Sequence, residues 1–467
     1  MLNYISNNSP EAIKKNINSV DTSHLYLSLK ESFQINGKQP IQVNFRDLLP
    51  WIKLGDQFTH LIHPYPAKLL PHIANFFINA SVLVKKNEIV LDPFSGSGTV
   101  ALEASLAGCV PHIADANPLA LLITSVKNYN YNIEELTATL LDVVGKAKRY
   151  RKAPVVDIIN SKLWYSDSIK LKLEIILRAI EEIKSQEVKD FFRVCFSATA
   201  RKLSTADPAI SVPVRLKCKP SFSLEKNENI LKRLDWLNTV NVIDEFTFVC
   251  FNNIGRVNLT NDFNNERRSV NVISDNACDL VRRYEGCERP ALIITSPPYG
   301  SAQKYIRSSS LSLNWLGFAD SKNLTKYEAL SIGREHVPLY RKRNIINGLP
   351  LKLMHLLDEI KSVNEERFHI TSQYLYEMKL ALIEMAKVSR AGGHLVIVTG
   401  NNSVCGRVLE NDAFIKNVLI EAGLKLELHL YDDIKSRGLM TKRNKTASVI
   451  NKEHILVFSK EVMYGTN

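Results

Sequence analysis

Apolar stretches of strand length recur along the chain, and several give way to small or polar residues followed by helix-spaced apolar positions. Ile89-Val90-Leu91 runs into Asp92-Pro93-Phe94-Ser95-Gly96-Ser97-Gly98-Thr99 and then residues 100–104, the pattern of a buried strand, a tight glycine turn and a helix. Residues 110–114 form a second short apolar run, and residues 291–294 a third that ends in Thr295-Ser296-Pro297-Pro298-Tyr299. An amphipathic stretch over 374–388, then Gly392-Gly393, precedes a strand pattern at 394–398, and a last one lies at 453–458. Buried strands alternating with helices predict an α/β fold on a doubly wound, mostly parallel sheet.

Two regions fall outside that rhythm. In residues 1–60, segments 25–33 and 41–45 alternate apolar and polar positions around Asn36-Gly37, which predicts a β-hairpin in an N-terminal extension. Residues 128–270 interrupt the sheet pattern between its cofactor-side half (61–127) and its catalytic half (271–467). This insertion reads as helices over 131–150 and 167–184, then as irregular and strand-like sequence around 247–251. Doubly wound domains need only short connections, so so long an insertion is expected to carry a function, with base-sequence recognition the best candidate. Residues 300–370, running on from the Ser-Pro-Pro-Tyr loop, are a second candidate.

The loops at the strand ends carry the chemistry. Gly96 and Gly98 let the backbone pass close to a ligand, and the helix that follows favours an anionic group at its N-terminus. Asp115, about 20 residues on, is placed to hold ribose hydroxyls. This much fits a nicotinamide cofactor and S-adenosyl-L-methionine equally. The prolines after Ser296 fix φ and lack N–H groups, so the Ser296 and Pro297 carbonyls need not join a ladder. They can accept from a planar group with two N–H bonds, such as a nucleobase exocyclic amine, while Tyr299 offers a stacking face.

Asp-Pro-Phe-Ser-Gly-Ser-Gly-Thr followed by Ser-Pro-Pro-Tyr resembles the exocyclic-amine DNA methyltransferases of restriction–modification type. His63-Pro64-Tyr65-Pro66-Ala67-Lys68 is similar to that family's segment closing over the methionine end of the cofactor, and Ser274-Asp275-Asn276-Ala277 to its border of the adenine ring. The resemblance covers 61–127 and 271–460. It implies a Rossmann-like methyltransferase sheet with a large inserted target-recognition region, and S-adenosyl-L-methionine as cofactor. His63, Tyr65, Lys68, Asp92, Phe94, Ser95, Gly96, Gly98, Thr99, Asp115, Asp275 and Asn276 would bind it. Ser296, Pro297, Pro298 and Tyr299 would be catalytic, acting on a base flipped from double-stranded DNA. Serine at the first motif position favours cytosine N4, with adenine N6 the alternative. The insertion precedes the Asp275 segment rather than following it, a departure from the family's common orders.

Composition adds partners and compartment. A chain of 467 residues, 45% hydrophobic and 23% charged, has length for two or three globular domains, and no transmembrane span is expected. Its 7 cysteines are scattered without a Cys-x-x-Cys pair, so neither a disulfide framework nor a metal site is expected. With no basic-then-apolar leader at the N-terminus, the cytoplasm is the expected compartment. The formal charge of +12 suits a polyanionic partner. Lys146–Lys152, Arg215, Lys217 and Lys219, Arg341–Arg343 and Lys442–Lys445 form basic clusters, and Lys304, Arg307, Arg341 and Arg343 are candidate DNA contacts. A cognate restriction endonuclease acting separately is the expected further partner. Three other classes compete. An RNA guanine-N2 methyltransferase would usually have Asp where Ser296 stands. A nicotinamide oxidoreductase leaves Ser-Pro-Pro-Tyr without purpose. A non-catalytic DNA-binding module has no use for Asp92, Ser296 and Tyr299 together.

Overall fold

The computed structural model describes residues 20–52, 57–66, 68–300, 304–320, 322–337, 349–434 and 450–462. Eight strands form one sheet in the order β1-β9-β10-β6-β5-β2-β3-β4. They are β1 (Ile41–Gln42), β2 (Ile89–Asp92), β3 (Val110–Ala114), β4 (Asn271–Ser274), β5 (Leu292–Thr295), β6 (His394–Thr399), β9 (Leu424–Asp433) and β10 (Lys452–Lys460). β7 (Asn402–Val404) and β8 (Arg407–Leu409) make a separate hairpin. β4, β3, β2, β5 and β6 run parallel, and β10 is antiparallel to both β6 and β9.

Strand residues alternate between two cores. Val90, Leu292, Ile294, Val396 and Val457 pack on one face with helices Ser23–Ile35, Pro71–Ile78 and Thr99–Leu106. Leu91, Ile293, Leu395, Ile397 and Leu456 pack on the other with helices Leu351–Val363, Glu365–Val388 and Asn411–Glu421. This is the doubly wound Rossmann-like arrangement that the sequence pattern and the resemblance both predict. From β2 the chain steps to β3 and β4 toward one edge, whereas β5 and β6 build toward the other. The reversal between β2 and β5 opens a crevice at their carboxyl ends, where such sheets bind ligands.

Two expectations are corrected. The N-terminal segment is not a hairpin: residues 25–33 lie in helix Ser23–Ile35, which buries Tyr26 and Phe33 two turns apart. Asn36 is its C-cap and Gly37 follows at φ +59°, so Asn-Gly ends a helix here instead of turning a hairpin. The sequel gives only two-residue β1, which pairs in parallel with β9. Residues 247–251 are likewise helical, within Val242–Phe263. The Asn241 side chain caps that helix at the Ile243 and Asp244 N–H groups. Its buried Phe246, Cys250, Ile254 and Val257 follow helical spacing, which overrides the local β preference of Thr-Phe-Val-Cys-Phe.

Among the described residues the insertion forms no ladder beyond one isolated bridge, Ala206 with Arg215. Helices Ile133–Arg149, Asp167–Glu181, Gln186–Lys202 and Val242–Phe263 share one core with Leu119 and Ile123 of helix Pro118–Asn128, and with Leu313 and Trp315 beyond the Ser-Pro-Pro-Tyr loop. No helix of the described residues is long and apolar enough to cross a membrane.

Candidate active site

Two loops leave the sheet side by side at the reversal. Asp92 closes β2, and its Oδ1 accepts from Thr295 Oγ1 at the end of β5 (2.6 Å) and from the Phe94 N–H (3.1 Å). Burial outweighs both hydrogen bonds and pushes this carboxyl up to about 7. Asp92→Asn keeps an oxygen for both donors and removes the titration. The folded carboxyl titrates near 7 against an ordinary 3.8, so the folded state holds the proton more tightly. The wild type therefore loses stability as pH rises from 3.8 to about 7, on the order of a few kcal/mol. In thermal melts without cofactor, the Tm of Asp92→Asn relative to wild type should climb across that window and level off above it. A pH-independent offset contradicts the account.

The first loop is a tight turn. Ser95 N–H donates to the Ala114 carbonyl (3.0 Å) and Gly98 N–H to the Ser95 carbonyl (2.7 Å). Gly98 sits at φ +72°, and a Cβ there would meet the Thr124 side chain at 2.5 Å, so both conformation and space demand glycine. Gly96 sits at φ +49° with bare backbone toward the cavity. Asp115, just beyond β3, braces the turn: Oδ2 accepts the Gly96 N–H and Oδ1 the Asn117 N–H, each at 2.8 Å. Burial raises its carboxyl to about 6.

The second loop is held from behind. Tyr374 Oη donates to the Pro298 carbonyl (3.0 Å) and Asn402 Nδ2 to the Gly300 carbonyl (2.8 Å). Asn411 Nδ2 ties Asn402 Oδ1 (2.9 Å) to the Gly400 carbonyl (2.8 Å). A Cβ on Gly300 would strike the Tyr374 ring at 2.8 Å, and one on Gly400 would stand 3.2 Å from the Tyr299 ring, so Tyr299 rests on bare Gly400 backbone. At the front, Ser296 Oγ lies 3.2 Å from Tyr299 Oη. The Pro297 carbonyl accepts no hydrogen bond from the described residues.

Between the loops lies one cavity. Of the sequence-predicted residues, Tyr65, Phe94, Gly96, Asp115, Asp275 and Asn276 line it, with Ser296 and Pro298 at its wall. Asp92, Ser95, Gly98 and Thr99 shape the glycine turn without lining the cavity, and the buried Ser95 Oγ has no partner among the described residues. His63 and Lys68 are not brought to it. His63 Nε2 meets Ser197 Oγ of the insertion (2.9 Å), and burial pushes its imidazole down to about 3. Lys68 Nζ donates to the His60 carbonyl (2.9 Å). Sequence reasoning missed Asn117, Tyr305 and Ile332, which also line the cavity. Asn117 Nδ2 donates to Tyr65 Oη (3.1 Å) and Ser309 Oγ (3.0 Å), joining the His63–Lys68 segment to the helix after the second loop. The Asn-Pro helix start at 117–118 was the available signal. Of the candidate DNA contacts, Lys304 is ion-paired with Glu335 (2.5 Å), Arg307 is exposed, and Arg341 and Arg343 lie outside the described residues.

Comparison with known proteins agrees with this geometry. Residues 62–148 match the family model of the RMKL-like methyltransferase domain. The Type II methyltransferase M.MvaI of Kocuria varians is 22% identical over 87% of this chain and 90% of its own length. M.BsoBI of Geobacillus stearothermophilus, also a Type II methyltransferase, is 21% identical over 96% and 91%. M.MjaII of Methanocaldococcus jannaschii, another, reaches 36% identity over a shorter stretch, 20% of this chain and 17% of that protein. Along nearly its whole length the chain is thus similar to Type II methyltransferases.

Proposed function

We propose that this protein is a site-specific DNA methyltransferase that uses S-adenosyl-L-methionine to methylate an exocyclic amine, cytosine N4 favoured, on a base flipped out of double-stranded DNA. One observation carries the reading: the 2.6 Å Thr295–Asp92 bond fixes the β2 and β5 loops together, so Ser296 walls the same cavity as Gly96 and Asp275. The lining suits the cofactor. Gly96 offers bare backbone at positive φ, Ser95 Oγ is a buried hydroxyl without a partner among the described residues, and Asp115 and Asp275 add carboxylates for hydroxyl groups. Phe94 and Ile332 supply apolar surface for a purine. When bound, the cofactor would supply a methyl group on a sulfonium: the N–C bond would form as the S–C bond breaks, a neutral thioether would leave, and the methylated amine would release its extra proton to solvent, so no covalent enzyme intermediate is needed.

The protein's task is then to make the amine nucleophilic and to aim it. An exocyclic amine is a poor nucleophile because its lone pair is delocalised into the ring. Hydrogen bonds from the amine to Ser296 Oγ and the Pro297 carbonyl favour a more tetrahedral nitrogen, and they strengthen as positive charge develops there. The loop's backing by Tyr374, Asn402 and Asn411 fixes those acceptors before the base arrives. Flipping the base costs a few kcal/mol, which Tyr299 stacking offsets in part. The helical insertion is the proposed target-recognition region, with exposed Arg215, Lys217 and Lys219 available to phosphates. A separate cognate endonuclease remains the expected partner.

Tritium transfer from methyl-labelled S-adenosylmethionine to duplex DNA and to RNA tests this reading. Label is expected in DNA and not in RNA; the reverse would replace it with RNA guanine-N2 methylation.

A further inference from the structure

Away from the cavity, three side chains from three elements converge where helix Asn411–Glu421 meets the last two strands. His429 of β9 and His454 of β10 lie on the sheet face that this helix covers, and Asp412 is in the helix's first turn. One ligand atom from each lies within 4.8 Å of the other two. His429 Nε2 is 3.0 Å from His454 Nδ1 and 3.9 Å from Asp412 Oδ2. Atoms bound to one tetrahedral zinc at about 2.0–2.1 Å stand roughly 3.3 Å apart, so these separations straddle what a shared ion requires.

We propose that Asp412, His429 and His454 form a binding site for one divalent transition-metal ion of the zinc class, completed by water. A single His–His hydrogen bond is the competing arrangement. It leaves Asp412 Oδ2 beyond hydrogen-bond reach of His429, with the part-exposed Lys416 ammonium 3.6 Å away. An ion at the centre engages all three atoms, and two imidazoles with one carboxylate are a borderline donor set that suits zinc. The Asp412 N–H is anchored on Asn401 Oδ1 (3.2 Å), which fixes the start of the helix. Neighbouring Asn411 belongs to the network behind the Ser296–Gly300 turn. The site therefore fastens helix Asn411–Glu421 to β9 and β10, one residue from that network, as a structural centre that touches neither cofactor nor base. The Lys416 ammonium, 3.6 Å from Asp412 Oδ2, competes electrostatically with a cation for that carboxylate.

The test uses the full-length protein, stripped with EDTA, reloaded with zinc chloride and desalted. Elemental analysis should find one zinc per chain, and the Tm should rise by a few degrees over the stripped protein, as expected of a ligand that binds only the folded state. His454→Gln should weaken zinc binding by about tenfold or more. Lys416→Met, a surface change that leaves folding intact, should tighten it by removing a competing cation. Wild-type protein that leaves desalting without zinc overturns the proposal. So does His454→Gln or Lys416→Met binding zinc with wild-type affinity, which would place the ion elsewhere.

Discussion

Ser296→Ala is expected to lower kcat by roughly 10²–10³ while cofactor affinity stays within about threefold of wild type. Ser296 lines only the wall of the cavity, whereas the glycine turn and Asp115 that would hold the cofactor are built from β2 and β3, with their own hydrogen bonds. The lost hydroxyl is an acceptor whose value grows as charge builds on the amine, so its removal falls on the transition state and spares the ground state. Single-turnover methyl transfer and ultraviolet crosslinking of labelled cofactor separate the two. An unchanged kcat would remove the amine contact from the mechanism. A loss of crosslinking in parallel with activity would make Ser296 a structural support of the pocket.

The second large effect is at Tyr299. Its ring packs on Gly400 and its Oη lies 3.2 Å from Ser296 Oγ. Tyr299→Ala removes both the stacking face and that contact. It should cut kcat/KM on duplex DNA by about 100-fold or more, since stacking alone is worth about 1–3 kcal/mol per base. Tyr299→Phe keeps the face and loses only the hydroxyl, so it should retain DNA binding and fall by about tenfold in kcat. Equal losses in the two variants would contradict the stacking role. A substrate carrying a mismatch at the target base, already easier to flip, should recover part of the Tyr299→Ala defect.

The parts of the fold legible in the sequence are those whose signals are local. β3 spans the predicted 110–114, β2 runs into the glycine turn, and β6 and β10 contain the predicted 394–398 and 453–458. Fully buried parallel strands announce themselves as unbroken apolar runs, and glycines at positive φ mark their turns. The misread segments are those where one signal has two physical uses. Asn36-Gly37 supplies positive φ for a hairpin turn or for a helix stop, and only the packing of Tyr26 and Phe33 against the sheet decides between them. Thr-Phe-Val-Cys-Phe has strand chemistry, but its place in a 22-residue helix is set by the Asn241 cap and by contacts across the insertion.

The candidate site divides the same way. Gly96, Asp115, Asp275 and Ser296 sit at strand ends, so topology alone carries them to one crevice. His63 faces Ser197, 134 residues away, a partner no local pattern names. The Asp412, His429 and His454 cluster was invisible for the same reason, since it exists only where a helix and two strands meet.

The central claim is the chemistry at Ser296, and nucleoside mass spectrometry tests it most directly. DNA from a methylation-deficient bacterial host expressing the protein should yield a new N4-methylcytosine peak that disappears with Ser296→Ala. N6-methyladenine in its place would keep the mechanism and reverse the base. No methylated base in DNA, with label appearing in RNA, would contradict the account.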